Sequence, residues 1–249
     1  MNTPLINAQK IWPTHQNSME HAAVDITLHT GTIYGFIGPG SALISSWLQI
    51  LAAISAPACG HVHFLGQDTQ SLDRKKWQKL RTDIAYLNHQ STLLSVLSTQ
   101  ENILLPALYH QLDSRDALLN SMHLLLKNIG FLKPDDLGKL PAYIDELTYS
   151  QAMLVRLVLT RPRLVILDNT LRHFDERNTR LLLRFVQTNL NMAQTSLIIQ
   201  DDDMDFVLKH ATKIMFVDQN CLLQFNTPDE FRASDNQNVL HYLNELATL

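Results

Sequence analysis

The sequence predicts an α/β fold built on a mainly parallel sheet, and three observations carry that expectation. Short apolar runs alternate with helix-length segments through the second half of the chain, as strands joined by crossover helices do. The run Leu164-Val165-Ile166-Leu167 before Asp168 is continuously apolar, the mark of a strand covered on both faces. Near the start, Ile33-Tyr34-Gly35-Phe36-Ile37 leads through Gly38-Pro39-Gly40 into a helix-like segment. Strand, glycine turn, helix is the order in which phosphate-binding loops occur.

In chain order, residues 1–40 read as strands and turns, with 24–38 partly alternating. A helix is expected from about Ala42 to Ile54, because Leu43, Trp47, Ile50, Leu51 and Ile54 recur at helical spacing; Pro57 and Gly60 end it. A short strand over His61–Gly66, a polar surface helix over Gln67–Arg81 and a strand over Asp83–His89 follow. The middle third reads as helical, with Leu104–His110, Leu118–Ile129 (closed by Gly130 and Pro134) and Leu147–Leu159 as its clearest pieces. Beyond the buried strand, the pattern predicts helix 178–190, strand 195–200, helix 205–211 and strands 213–218 and 221–225. A last amphipathic helix, 239–246, carries Val239, Leu240, Tyr242, Leu243 and Leu246 as its apolar residues. No internal repeat, low-complexity stretch or linker divides the chain, so one domain over 1–249 is expected.

A net charge of −4 and no basic tail argue against nucleic acid as a partner, since phosphate backbones call for a Lys/Arg footprint. Cys59 and Cys221 are too far apart to suggest a metal cluster or a disulfide framework; both are expected to be small buried apolar residues in a reducing compartment. The N-terminus lacks the basic head and apolar core of a signal peptide. No charged residue falls between Asp25 and Asp68, but Gly35, Gly38, Pro39, Gly40 and Pro57 break that run. Its longest helical piece falls short of the roughly 20 residues that span a bilayer, so a buried strand and helix are expected instead.

Several landmarks in fixed order carry more than any one alone. After the glycine turn come "ISAPACGHVHFLGQDTQSL" and "IAYLNHQSTLLSVLSTQENILLPALY"; much later come "RPRLVILDNTLRHFD" and "TSLIIQDDDMDFVLKHATKIMFVDQNCLLQFNTPDEF". This succession resembles the nucleotide-binding subunit of ABC transporters along nearly the whole chain. It looks most like the ATPase subunit of Mla-type, MCE-associated bacterial phospholipid transporters, although lipoprotein-releasing ATPases share the core. The end, "ASDNQNVLHYLNEL", looks like that subfamily's C-terminal extension, about 229–249 here. The resemblance implies a P-loop NTPase-like ABC ATPase fold: a mainly parallel sheet, an antiparallel β lobe and a helical subdomain at about 90–160. It also implies a membrane permease as partner, a homodimer or a heterodimer with another ABC ATPase subunit, and a cytoplasmic location on the inner face of the membrane.

The chemistry departs from the family. The phosphate loop reads G-x-x-x-x-G-K-[ST], its backbone N–H groups and lysine holding the phosphates. Here Gly38 and Gly40 remain, but Ser41 and Leu43 stand at glycine positions and Ile44 at the lysine. Ser45 and Ser46 match the pair that touches the metal; the plainer reading is that they cap the helix. Trp12 stands where the family stacks an aromatic on adenine, and equally fits a half-buried strand aromatic. His89, beside Gln90, replaces the glutamine that links metal to permease. The stretch through Leu93, Leu94, Glu101 and Asn102 keeps the pattern that in the family lines the groove for a permease helix. The signature LSGGQ falls at Ile144–Thr148 or Leu147–Gln151, and no glycine follows Gly138, so neither placement can supply its glycines. Asp168 matches the metal-holding aspartate, and Asn169 replaces the catalytic glutamate, which an amide cannot imitate as a base. Asp175 matches the aspartate at the subunit interface. Asp202 replaces the switch histidine between two further acids that would repel a γ-phosphate; the three more simply form a solvated loop ahead of a cap at Asp205.

Loss of lysine, glutamate, signature glycines and histidine together predicts a pseudo-ATPase subunit with no catalytic residue and no cofactor. A homodimer would be inactive at both sites, and an active paralogue would still face a broken signature. Two alternatives stand beside it. One is an unconventional enzyme that binds ATP with magnesium through Ser45, Asp168 and His89. The other is a soluble regulatory module with no transport role.

Overall fold

The structure, a computed structural model, describes residues 4–13, 23–88, 90–130, 134–170, 176–219 and 221–247. Its strands are β1 (Ile6–Trp12), β2 (Val24–Leu28), β3 (Ile33–Ile37), β4 (Cys59–Phe64), β5 (Gln67–Asp68), β6 (Ile84–Asn88), β7 (Leu164–Asp168), β8 (Ser196–Gln200), β9 (Lys213–Asp218) and β10 (Cys221–Phe225). The α-helices are α1 (Ser41–Leu51), α2 (Arg74–Asp83), α3 (Thr99–Tyr109), α4 (Arg115–Ile129), α5 (Glu146–Leu159), α6 (Glu176–Asn189), α7 (Met204–His210), α8 (Pro228–Arg232) and α9 (Gln237–Ala247). Short 3-10 turns at Pro134–Gly138 and Pro141–Tyr143 link α4 to α5.

A six-stranded sheet runs in the order β10-β9-β3-β8-β7-β6, parallel throughout except for the β9–β10 hairpin. Its central strands β7 and β8 are buried at every position, as their continuous apolar sequences require. Period-two alternation then divides their side chains between two cores. Leu164 and Ile166 join Ile198, Met215 and Val217 on the face that carries α1 and the first strands. Val165 and Leu167 join Leu197, Ile199 and Phe216 on the face that carries α3 to α6. Each buried Leu or Ile contributes about 1.5–3 kcal/mol of transfer free energy, so the alternation itself fixes which element covers which face.

The first face is closed by a four-stranded antiparallel lobe, β2-β1-β4-β5, with bulges in β1 between Ala8 and Ile11 and between Gln9 and Trp12. Lys10 at the bulge takes φ 51°. Gly60 opposite it takes φ 76°, and a Cβ there would lie 2.2 Å from the Gln9 carbonyl oxygen, so this turn requires glycine. The helical part consists of α3, α4 and α5 packed together. The fold is therefore the one the sequence predicts, down to the antiparallel lobe and helical part implied by the resemblance.

Boundaries moved for local reasons. α1 stops at Leu51, short of Ile54, because Ala53 turns left-handed at φ 52°. The polar helix begins at Arg74 rather than Gln67: β5 uses Gln67 and Asp68, and Asp73 caps the helix by accepting from Lys76 N–H. α3 begins five residues before the expected Leu104, because Ser98 and Glu101 form a complete capping box. The cysteine expectation is corrected: Cys59 is exposed and Cys221 half-buried. Among the described residues no helix is long and apolar enough to cross a membrane.

Candidate functional site

The turn between β3 and α1 is short. Ser41 is already helical, and Ile44 N–H donates to the Gly40 carbonyl at 3.0 Å. A loop that cradles phosphates needs that stretch open, with its N–H groups converging on the ligand. Here it is wound into the first turn of α1, and burial explains why. Ile44 is 2% exposed and packs in the core with Trp47 and Leu48, so the position of the lysine points inward and cannot donate. The glycines serve other ends than phosphate. A Cβ on Gly38 would lie 1.8 Å from the carbonyl oxygen of Val217, so Gly38 is required by the close approach of β9. Gly40 is the extended N-cap of α1 at φ −130°, a conformation open to any residue.

Trp12 is 6% exposed and meets Trp47 edge-on, ring centroids 5.3 Å apart at 85°. It is a core aromatic and offers no open face to a base, which corrects the stacking alternative. Ser45 and Ser46 lie inside α1 rather than at its cap, which corrects the capping alternative. Ser46 Oγ donates back to the Ala42 carbonyl at 3.0 Å. Ser45 Oγ donates to Asp168 Oδ1 at 2.9 Å, so the structure does bring these two predicted metal positions together. The other carboxylate oxygen of Asp168 accepts from the Tyr86 hydroxyl. Burial, then the Asp168 hydrogen bond, holds the Tyr86 phenol well above its ordinary pKa, so it stays a proton donor. Sequence reasoning missed Tyr86, which reaches Asp168 only because β6 and β7 lie side by side in register.

The two replaced catalytic positions meet each other. Asn169 Nδ2 donates to Asp202 Oδ2 at 3.1 Å, and Asn169 N–H donates to the Gln200 carbonyl at 2.9 Å. Asn169 stands at φ 52°, a left-handed conformation asparagine tolerates. The cap of α7 is Asp203, accepting from Phe206 N–H at 3.0 Å, and not Asp205 as expected. Burial pushes the Asp201 carboxyl up from its usual value; the Asp203 N–H it accepts opposes this, and the charges of Asp202 and Asp203 add to it. Among the described residues no group of three or more His, Cys, Asp or Glu is placed to hold a metal ion. His89 and Asp175 lie outside the described residues.

Over the phosphate-loop position lies a cavity of about 280 Å³. Gly38, Pro39, Ser41 and Ile44 form one wall, Gln200, Asp201 and Asp202 a second, and Tyr242, Glu245 and Leu246 of α9 a third. No Lys or Arg is among these residues, while three carboxylates are. Magnesium triphosphate does not fit this set: Ile44 N–H is taken by the Gly40 carbonyl, the lysine position is core, and the walls carry the ligand's own sign of charge. The amphipathic pattern of the last helix was legible in the sequence, but nothing in it told where the helix docks. It is held by Val239, fully buried, and by Tyr242, whose ring lies 5.5 Å from that of Phe216.

Burial, and to a lesser degree the Asp202 charge, raise the Tyr242 hydroxyl from 10.0 to about 12. A folded pKa above the unfolded one contributes stability that is whole below pH 10 and is lost as pH rises towards 12. Alkaline titration is therefore expected to loosen α9, read as a fall in Tm above pH 10 that is smaller in Tyr242→Phe, where only the other raised tyrosines, Tyr34 and Tyr86, contribute. An equal fall in both proteins would refute it.

The signature region begins α5. Asp145 caps that helix, accepting from Thr148 N–H at 2.7 Å, while Gln151 is buried within it. The Ile144–Thr148 placement thus stands at a helix N-terminus, with Asp145 at the serine position and Glu146 and Leu147 where the glycines would be.

The permease-facing expectation is corrected in part. Asn102 is 0% exposed: it accepts from Leu94 N–H and donates to the carbonyls of Leu94, Leu97 and Ser98, pinning the preceding loop. Glu101 closes the capping box, and Leu93 is buried. Of the described residues in that set, Gln90, Leu94 and Glu101 present themselves to solvent. The open groove lies beside them, between the end of α1, β6, α3 and α5. It measures about 240 Å³ and is lined by Ala52, Ile54, Arg81, Tyr86, Pro106, Met153, Arg156 and Leu157 among others.

Comparison with known proteins adds three findings. The family described as ABC transporter matches residues 22–172, more than half of the chain. The chain is 24% identical over 230 residues to a methionine import ATP-binding protein, MetN, of Vibrio vulnificus, covering 91% of this chain and 66% of that protein, just under two thirds. It is 24% identical over 202 residues to a lipoprotein-releasing system ATP-binding protein, LolD, of a Ruegeria species, covering 81% and 87%. A solved structure of an ATP-binding subunit of an ABC transporter superposes with a TM-score of 0.78 over 98% of each chain at 16% identity, a likeness of fold alone.

Proposed function

The chain belongs to the ABC transporter family, and from that premise we propose that it serves as a catalytically inactive subunit, a pseudo-ATPase that docks on a membrane permease. One observation carries the reading: the phosphate-loop position is helical from Ser41, Ile44 is core, and the cavity over it is walled by Asp201, Asp202 and Glu245. The scaffold that transmits force in the family is present, and the group that would drive it has nowhere to bind.

The whole chain acts as one ABC-type domain, with residues 90–160 as the helical subdomain and 229–249 as the extension. It pairs with a second ABC ATPase subunit, its own copy or a paralogue, at the inner face of the cytoplasmic membrane. The cargo is lipid, in an Mla-type, MCE-associated system. The C-terminal likeness supports this, as does the similarity to a lipoprotein-releasing relative.

The test is phosphate release and Mg-ATP calorimetry on the purified chain. The expected result is no turnover and no heat of binding. Magnesium-dependent turnover that disappears in Asp168→Ala would establish the unconventional enzyme instead.

A further inference from the structure

Gln200 is the last residue of β8, two beyond Ile198 and therefore on the face of the sheet that carries α1. It is 3% exposed and forms part of the wall of the cavity over the phosphate-loop position. Its backbone carbonyl accepts from Asn169 N–H, but its side-chain oxygen, Oε1, has no hydrogen-bond partner. Asn169, 8% exposed, donates through Nδ2 to Asp202 and leaves its own Oδ1 unpartnered as well. Both orphaned atoms are acceptors, so what this corner of the fold lacks is a donor. A buried acceptor without one costs free energy, and a donor entering the cavity offsets that cost.

The charge of the walls specifies the kind of donor. Asp201, half-buried, and Asp202 follow Gln200 directly, and Glu245 stands on the α9 wall. Asp201 Oδ1 accepts from Asp203 N–H at 3.0 Å, Asp202 accepts from Asn169, and Glu245 lies 3.1 Å from His241 Nε2 within α9. No Lys or Arg lines the cavity, and the positive end of α1, worth roughly half a charge, is set against three carboxylates. Burial raises the Asp201 carboxyl above its usual value, a penalty on its charge that a neighbouring cation relieves. A bare metal ion is the poorer match, since among the described residues no three such side chains are placed to hold one. Carboxylates on two separate walls, about 280 Å³ of space, and apolar surface from Pro39, Leu246 and the Tyr242 ring suit a larger cation that carries methylene groups.

We propose that the cavity over the phosphate-loop position binds a small organic cation, an alkyl chain with an ammonium at each end. One ammonium donates to Gln200 Oε1 beside Asp201, and the other meets Glu245 at the rim. A position that receives an anion in the family is thereby turned to a cation. The inference goes beyond the pseudo-ATPase reading and rests on it only in taking the cavity as closed to nucleotide.

Diaminobutane is titrated against the full chain by calorimetry at about 0.15 M salt, where attraction between exposed charges is screened beyond about 8 Å. Saturable binding is expected, about three- to fivefold tighter than that of butylamine, and the neutral analogue butanediol gives no heat of binding. Gln200→Leu removes the acceptor at similar volume, and Asp201→Asn removes the charge at the same shape. Each is expected to weaken diaminobutane at least about tenfold, while the more exposed Glu245→Gln costs about two- to threefold and reduces the preference over butylamine. Circular dichroism melts confirm that the variants fold; Gln200→Leu is expected to melt no lower than the parent, because the acceptor it removes is unpaired. Absence of saturable binding, an equal response to magnesium chloride, or affinity unchanged in either Gln200→Leu or Asp201→Asn would overturn the inference. Titration with Mg-ATP separates the two readings: nucleotide binding overturns the pseudo-ATPase reading, whereas no heat from either ligand overturns the cation alone.

Discussion

Gly38→Ala is expected to destabilise the protein by more than about 4 kcal/mol, enough to prevent folding, whereas Gly40→Ala costs about 1 kcal/mol or less. The two glycines belong to one motif by sequence but to different physics in the fold. The methyl group at 38 would lie 1.8 Å from the Val217 carbonyl oxygen, a backbone atom held in β9, so neither side can give way without opening the β3–β9 pairing. At 40 the nearest heavy atom stands 3.8 Å away and φ is −130°, so the only loss is a modest N-cap preference. Urea unfolding of both variants, followed by circular dichroism, reads the difference directly. Similar stabilities would mean that Gly38 is kept for something other than its contact with β9.

Restoring the missing lysine should fail. Ile44→Lys is expected to cost at least about 3 kcal/mol and to leave Mg-ATP binding undetectable. The isoleucine is 2% exposed beside Trp47 and Leu48, so the substitution removes a buried apolar side chain and places an ammonium in its stead. A lysine so buried has its folded pKa below the unfolded value of about 10.4. A depressed lysine penalises folding below that pH, so the deficit relative to the parent protein should shrink as pH rises through it. Melts of parent and variant at matched pH values, with calorimetry for nucleotide, make the check. A variant that bound Mg-ATP at parental stability would show the loop able to reopen.

Both results turn on the difference between a motif and the space it occupies. The landmarks that revealed the family are local: a strand–glycine–helix order, an apolar run closed by Asp168, a Glu101-Asn102 pair. Their positions survived translation into structure, but their roles did not all follow. Glu101 and Asn102 keep the family pattern because they cap α3 and pin the loop before it, hydrogen bonds that any occupant of the groove leaves untouched. Trp12 looked as much like a base platform as a core residue until Trp47 was placed against it. Arg81 and Arg156 carried no signal at all in the sequence, because α2 and α5 are brought to one groove only by the packing of the sheet and the helical layer.

The sequence by itself determined the α/β class, the strands buried on both faces and, through the resemblance, the replacement of the family's lysine, glutamate and histidine while Asp168 stays. Periodicity and residue identity are local properties, legible wherever the chain happens to lie. Only the tertiary structure decided that Ile44 is core, that Gly38 answers to β9, that Tyr86 takes the second oxygen of Asp168, and that α9 closes over the phosphate-loop position. Each of these joins residues distant along the chain, and such pairings follow from how two cores form on opposite faces of one sheet, not from the order of the letters.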